Sequence, residues 1–292
     1  LGDVYKRQVQ HAALDAATQG FEDALTASFG ENVTFDFQNA QGDSNTCATI
    51  INGFVAEDAD LILANATAPL QSAAAATTDI PILGTSVTDY ATALDISGWS
   101  GTTGRNISGT SDLAPLSEQA AMLNELFPDA KNVGLLYCSA EANSQYQIDV
   151  IKEELEKLNY TCTAYSFVDS NDIASVVQSA VNDNDVLYVP TDNTAASNTE
   201  VINNIAGEAG VPIIAGEAGI CKGCGVATLS ISYYDLGYQT GKMAYEILVN
   251  GADPSTMEVE FAPAVTKQYN PDICEKLGIT VPDDYEALDM SE

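Results

Sequence analysis

Hydroxyl and carboxylate side chains recur in this chain just after short apolar runs, where a buried strand would hand over to a loop. Thr85, Ser86 and Thr88 follow Ile80-Pro81-Ile82-Leu83-Gly84, Asp192 and Asn193 follow Val186-Leu187-Tyr188-Val189, and Glu217 follows Val211-Pro212-Ile213-Ile214-Ala215-Gly216. The chemistry they offer is non-covalent: hydroxyls donate to an anionic group, an acid accepts a cation, and small residues leave room. Thr67, ahead of Ala68-Pro69, is placed to cap a helix whose amides could hold a carboxylate, the alternative being a plain N-cap.

Asp192 is the first choice for a cationic group such as an ammonium, because a desolvated acid needs a partner that arrives with the ligand. The competing reading is helix capping by Asp192 or Asn193. Glu217 stands in the equivalent place after the next strand and is the second choice, and Asp89 belongs to the same shell. Asn143 and Ser144 are donors in a corresponding loop, and Tyr233, with Tyr90, Tyr146 and Tyr234, offers aromatic faces.

Catalysis has little to work with. His11 is the only histidine, which excludes a multi-histidine metal site, and no Gly-x-Ser-x-Gly elbow supports a triad built on it. Phosphate-cradling and dinucleotide-binding glycine motifs are missing as well, so no enzyme activity, cofactor or metal is expected. Six cysteines are too sparse for a disulfide scaffold. Cys138 and Cys162 fall in or beside predicted strands, whereas Gly219, Gly223 and Gly225 place Cys221-x-x-Cys224 on a loop. That pair reads as a local feature, a disulfide in an oxidising setting, rather than half of a zinc site.

The elements that must position these residues occur twice. The first copy has strands at 33–37, 60–65 and 80–84, and the second at 132–137, 160–165, 185–189 and 211–216. Apolar residues at helical spacing predict helices over 12–28, 45–57, 69–78, 117–127, 143–158, 172–182, 195–207 and 235–249. Such alternation predicts an α/β protein of two doubly wound parallel-sheet (Rossmann-like) domains with ligand loops at the strand carboxyl ends, facing each other across a cleft. The lobes expected are 9–111 plus 234–257 and 112–233 plus 258–292, joined by a three-segment hinge. Residues 1–8, Leu1-Gly2-Asp3-Val4-Tyr5-Lys6-Arg7-Gln8, are polar where the repeat calls for an apolar strand. They back-translate to the end of a common sequencing adapter, so they are read as an assembly artefact and the first strand as missing.

Ten Lys and Arg against 42 Asp and Glu give a net charge of −32, which repels phosphate backbones and anionic headgroups and argues against nucleic-acid binding. No run approaches the roughly 20 apolar residues of a membrane helix. With 46% hydrophobic and 18% charged residues, the chain is globular rather than disordered.

Several ordered segments resemble one family: Val9-Gln10-His11-Ala12-Ala13-Leu14-Asp15, Ala66-Thr67-Ala68-Pro69, Ser86-Val87-Thr88-Asp89, Gly109-Thr110-Ser111-Asp112-Leu113, Ser139-Ala140-Glu141-Ala142-Asn143-Ser144, Pro190-Thr191-Asp192-Asn193-Thr194 and Tyr233-Tyr234-Asp235-Leu236-Gly237. Together they resemble the bacterial ABC-transporter substrate-binding proteins of the tryptophan-binding (TrpX-like) type. Ala12, where a proline is usual, and Cys221-Lys222-Gly223-Cys224 depart from the pattern. The resemblance implies a type I periplasmic-binding fold and an exported, often lipid-anchored, monomeric receptor. Such a receptor passes a small ligand, often an aromatic amino acid, to an ABC permease and its ATPase. The residues expected to surround that ligand, chosen for their chemistry at the strand ends and loops, are His11, Thr67, Thr85, Ser86, Thr88, Asp89, Asn143, Ser144, Asp192, Asn193, Glu217 and Tyr233. The effector domain of a transcription regulator shares the fold, but would need a basic helix-turn-helix before residue 9.

Overall fold

The computed structural model describes residues 3–5, 11–41, 43–262 and 264–291, the first three by their backbone alone. In chain order the elements begin β1 (Asp3–Tyr5), α1 (Ala12–Phe29), β2 (Thr34–Phe35), α2 (Ser44–Ala56), β3 (Leu61–Asn65), α3 (Thr67–Ala76), β4 (Ile82–Val87), α4 (Tyr90–Ala93) and β5 (Ile107–Ser111). There follow α5 (Leu116–Leu126), β6 (Asn132–Cys138), α6 (Ala142–Lys157), β7 (Thr161–Phe167), α7 (Ile173–Asp183), β8 (Val186–Val189), α8 (Asn193–Ala196), α9 (Thr199–Ala209), β9 (Ile213–Ala215), α10 (Ala218–Cys224) and β10 (Ala227–Ser230). The chain closes with α11 (Tyr233–Asn250), β11 (Glu260–Phe261), β12 (Thr266–Tyr269), α12 (Pro271–Leu277) and β13 (Glu286–Ala287).

These elements form two compact units, Leu1–Leu113 with Ser232–Pro263, and Ala114–Ile231 with Ala264–Glu292. The first holds a sheet of order β11-β5-β4-β3-β1-β2, and the second one of order β13-β12-β10-β9-β8-β6-β7. Pairing is parallel except between β10 and β12. The runs Leu61-Ile62-Leu63-Ala64-Asn65 and Ile82-Leu83-Gly84-Thr85-Ser86-Val87 are buried along their whole length, as strands covered by helices on both faces must be.

Four expectations are corrected here. The first strand is present: Asp3–Tyr5 pairs in parallel with β2 and β3, because backbone hydrogen bonding needs no apolar side chains. Val9, Gln10 and the rest of 1–8 lie outside the described residues. The single helix predicted at 195–207 is two, α8 and α9, separated at Ser197 and Asn198. Cys221 and Cys224 are not on a loop but in α10, where both are buried free thiols, and burial pushes both up. Residues 112–113, 232–233 and 258–262 sit with the first unit rather than the second, since the Asp112 amide bonds to the Val87 carbonyl, α11 starts at Tyr233 and β11 pairs with β5.

Backbone contact places α11 on α1. A Cβ on Gly237 would stand 1.7 Å from the Ala17 carbonyl oxygen, and one on Gly20 2.0 Å from that of Tyr234. Only glycine lets the two helices approach this closely, and that approach fixes the start of α11. Phe21, Leu25, Leu63, Leu83, Met243 and Ile247 fill the surrounding core, each worth about 1.5–3 kcal/mol when removed from water.

Candidate functional site

In the first unit, the carboxyl ends of β3, β4 and β5 bring together residues from four segments. A register shift in the β4–β5 ladder falls between Gly84 and Val87, and within it Ser86 takes a positive φ of 54°. Its hydroxyl is buried with no hydrogen-bond partner among the described residues. In the neighbouring loop Ala66 has a φ of 104° and occupies the N-cap of α3, giving that helix no side-chain cap. Thr67 is thus the first helical residue and not the cap, a correction to the expected role. The amides of Thr67 and Ala68 lie in the first turn, where no intrahelical acceptor exists, and Pro69 has no N–H. Donors of this kind suit a carboxylate.

The hydroxyls of Thr85, Thr88 and Tyr233 are already donating. Thr240 donates to the Leu236 carbonyl at 2.9 Å, so Thr110, 2.8 Å away, donates to Thr240, and Thr85 at 3.2 Å donates to Thr110. Thr85 therefore ties β4 through β5 to α11 and has no proton left for a ligand. Thr88 donates to Asp112 Oδ1 at 3.0 Å, and Tyr233 donates to Asp112 Oδ2 at 2.8 Å. Asp112 is 4% exposed, and its amide donates to the Val87 carbonyl at 3.2 Å. Asp89 is a helix cap, accepting the Thr92 amide at 2.7 Å. His11 precedes α1, partly buried, without capping it through its side chain.

In the second unit the expected ligand residues serve the backbone. Asp192 is 1% exposed and caps α8, accepting the Ala195 amide at 2.8 Å and the Cys138 amide at 2.6 Å. Burial, then the negative charge of Glu141, push its carboxyl up to about 7 against those amides and the Ser144 hydroxyl. Glu141 accepts the Asn193 and Thr194 amides at 3.0 and 2.8 Å, and the Asn193 side chain at 2.7 Å. Asn143, in the first turn of α6, donates to the Thr191 carbonyl at 3.2 Å, beside Gln147 at 2.9 Å. Glu217 caps α10, accepting the amides of Gly219 at 2.6 Å and of Ile220. The capping alternative thus describes Asp192, and Glu217, for which only a ligand role was expected, is a cap as well, since a strand-end acid beside a new helix meets that helix's amides first.

Asp112 was absent from the residues expected around a ligand. Its signal was available in Ile107-Ser108-Gly109-Thr110-Ser111, a buried run of hydroxyl residues closed by an acid, but it reads equally as a strand leaving a domain. Glu141 and Gln147 were missed because their partners lie 52 and 44 positions away. Among the described residues no group of three or more His, Cys, Asp or Glu could hold a metal ion.

A family model for ABC transporter substrate-binding proteins matches residues 6–289. The chain belongs to that family. This substrate-binding protein is 38% identical over 243 residues to a tyrosine-binding protein of Clostridioides difficile strain R20291, covering 82% of this chain and 70% of the relative. An ABC domain from Streptococcus pneumonia, solved in complex with L-Trp, is 32% identical with a TM-score of 0.92, over 97% of this chain and 96% of that one. A ligand-free, open substrate-binding protein with adhesive properties from Clostridium difficile is 37% identical with a TM-score of 0.76, covering all of both chains. The substrate-binding protein accordingly has the type I periplasmic-binding fold that the resemblance implied. Its relatives are binding proteins rather than enzymes.

Proposed function

We propose that this protein is the extracytoplasmic receptor of an ABC importer, and that its ligand is an aromatic amino acid of the tyrosine or tryptophan kind. One observation carries the ligand class. Relatives sharing 38% and 32% of their residues, each aligned over most of this chain, are a tyrosine-binding protein and a domain solved with L-Trp. The chemistry of the first unit supports it, since the Ser86 hydroxyl and the uncapped first turn of α3 are donors for an α-carboxylate. The receptor works as a monomer, exchanging its ligand with a membrane permease and ATPase, and its two units close on the ligand as it binds. Export and lipid anchoring belong to the same proposal.

A thermal-shift screen of the twenty amino acids, with a sugar, a nucleoside and a dipeptide alongside, tests it. Tyrosine, tryptophan or phenylalanine should raise the melting temperature most. A response confined to the sugar, nucleoside or peptide would show the ligand class to be wrong.

A further inference from the structure

We propose that Tyr90 is a positioning residue of the ligand site: its phenol, wedged against the Gly84–Gly109 pair, holds the β4 bulge that presents the Ser86 hydroxyl to the ligand's α-carboxylate. This rests on the carboxylate reading above and names the residue that keeps its donor in place. The need for such a residue comes from the backbone. From Gly84 to Val87 the chain takes three steps along β4 while its partner takes two, from Gly109 to Ser111, so β4 carries one extra residue. An inserted residue bends a strand and re-aims a side chain. Ser86, inside that insertion, holds a φ of 54°, a left-handed conformation that a serine keeps only where its surroundings enforce it.

Tyr90 is the first residue of α4, whose cap is Asp89, and the turn out of β4 brings its ring back against the strand it has just left. The side chain is 2% exposed and packs in the core with Ile82, Val87 and Ile107. Its hydroxyl donates to the carbonyl of Thr110 at 3.1 Å, the β5 residue that the bulge stands opposite. Room for that oxygen exists because Gly84 and Gly109, paired across the ladder, both lack a side chain, and a Cβ on either would collide with it. Packing alone would need only the ring; the paired glycines accommodate the hydroxyl. Burial, then the charge of Asp112, hold the phenol well above its ordinary range, so it stays protonated and keeps donating. The residues beside Ser86 are tied down too: the Thr85 carbonyl accepts the Ala66 amide at 2.9 Å, and the Val87 carbonyl the Asp112 amide at 3.2 Å. Ser86 is 6% exposed, and its hydroxyl has no partner among the described residues. Its backbone is fixed before a ligand arrives, and its hydroxyl is kept for that ligand.

The experiment is a calorimetric double-mutant cycle on Tyr90→Phe and Ser86→Ala, with L-tyrosine and L-tryptophan as ligands and tyramine and tryptamine, which lack the carboxylate, as controls. Ser86→Ala should weaken each amino acid about tenfold or more, the loss of one hydrogen bond to a charged group, and leave the amines within about threefold of wild type. Tyr90→Phe should reproduce that selective loss with the ring still in place, and adding it to Ser86→Ala should weaken binding by less than about twofold more. Where the amines bind too weakly to titrate, the cycle on the amino acids decides. If Tyr90→Phe does not fold, Gly84→Ala in the same chain puts a methyl group into the space the hydroxyl leaves, and that double variant takes its place in the cycle. Unchanged amino-acid affinity in Tyr90→Phe, equal weakening of amino acids and amines, or losses that add in full overturn the assignment of Tyr90 alone. Unchanged affinity in Ser86→Ala, or no aromatic amino acid bound by wild type, overturns the carboxylate reading and this one with it.

Discussion

Tyr233, the first residue of α11, donates its hydroxyl to Asp112 at the end of β5 across 2.8 Å and 121 positions of sequence. The bond joins the part of the chain that leaves the first unit to the part that returns to it. Removing it in Tyr233→Phe strips a donor from a buried carboxylate and should cost about 1.5–3 kcal/mol of stability, read as a lower urea midpoint for the first unit. A midpoint unchanged from wild type would mean that Asp112 is solvated where the structure buries it.

Glu217 makes a contrasting case. Both its oxygens accept amides of α10, so Glu217→Ala should lower stability by about 1–2 kcal/mol, the usual loss of an N-cap. Ligand affinity should stay within about threefold, the effect of a change remote from the ligand. A large affinity loss at full stability would restore Glu217 to the ligand.

The pH dependence follows from Asp192. Its folded carboxyl is pushed up to about 7 from an ordinary 3.8, so between those values the folded chain holds the extra proton. Its contribution is therefore complete below about pH 4 and is lost as the pH rises through about 7. Asp192→Asn cannot titrate. Although it starts less stable through the lost cap, its melting temperature should fall less than that of wild type between pH 4.5 and pH 8. Parallel slopes would contradict the cause assigned.

Backbone proximity gives a fourth test. Gly237→Ala drives a Cβ against the Ala17 carbonyl and should cost about 3 kcal/mol or more. Gly210→Ala, at a φ of 71° with nothing within 4 Å, should cost only about 1 kcal/mol. Equal costs would show that α1 and α11 can separate freely.

Much of the fold was legible because burial writes itself into sequence: residues 61–64 and 80–84 stand out as apolar runs, and α1 as a helical stripe of Leu14, Ala17, Phe21 and Leu25. Strand Asp3–Tyr5 was not legible, since its place depends on parallel neighbours that begin at Thr34 and Leu61. The site was half legible. Sequence could find acids and hydroxyls at strand ends, but which of them faces an amide, as Asp192 does, and which faces hydroxyls, as Asp112 does, is decided by residues 54 and 121 positions away.

The most direct test of the account is a calorimetric titration of the protein with L-tyrosine and L-tryptophan, against L-leucine and a hexose. Saturable one-to-one binding of an aromatic amino acid, at least about tenfold tighter than leucine, is the result the account predicts. Binding of the hexose with no heat from either aromatic amino acid would contradict it.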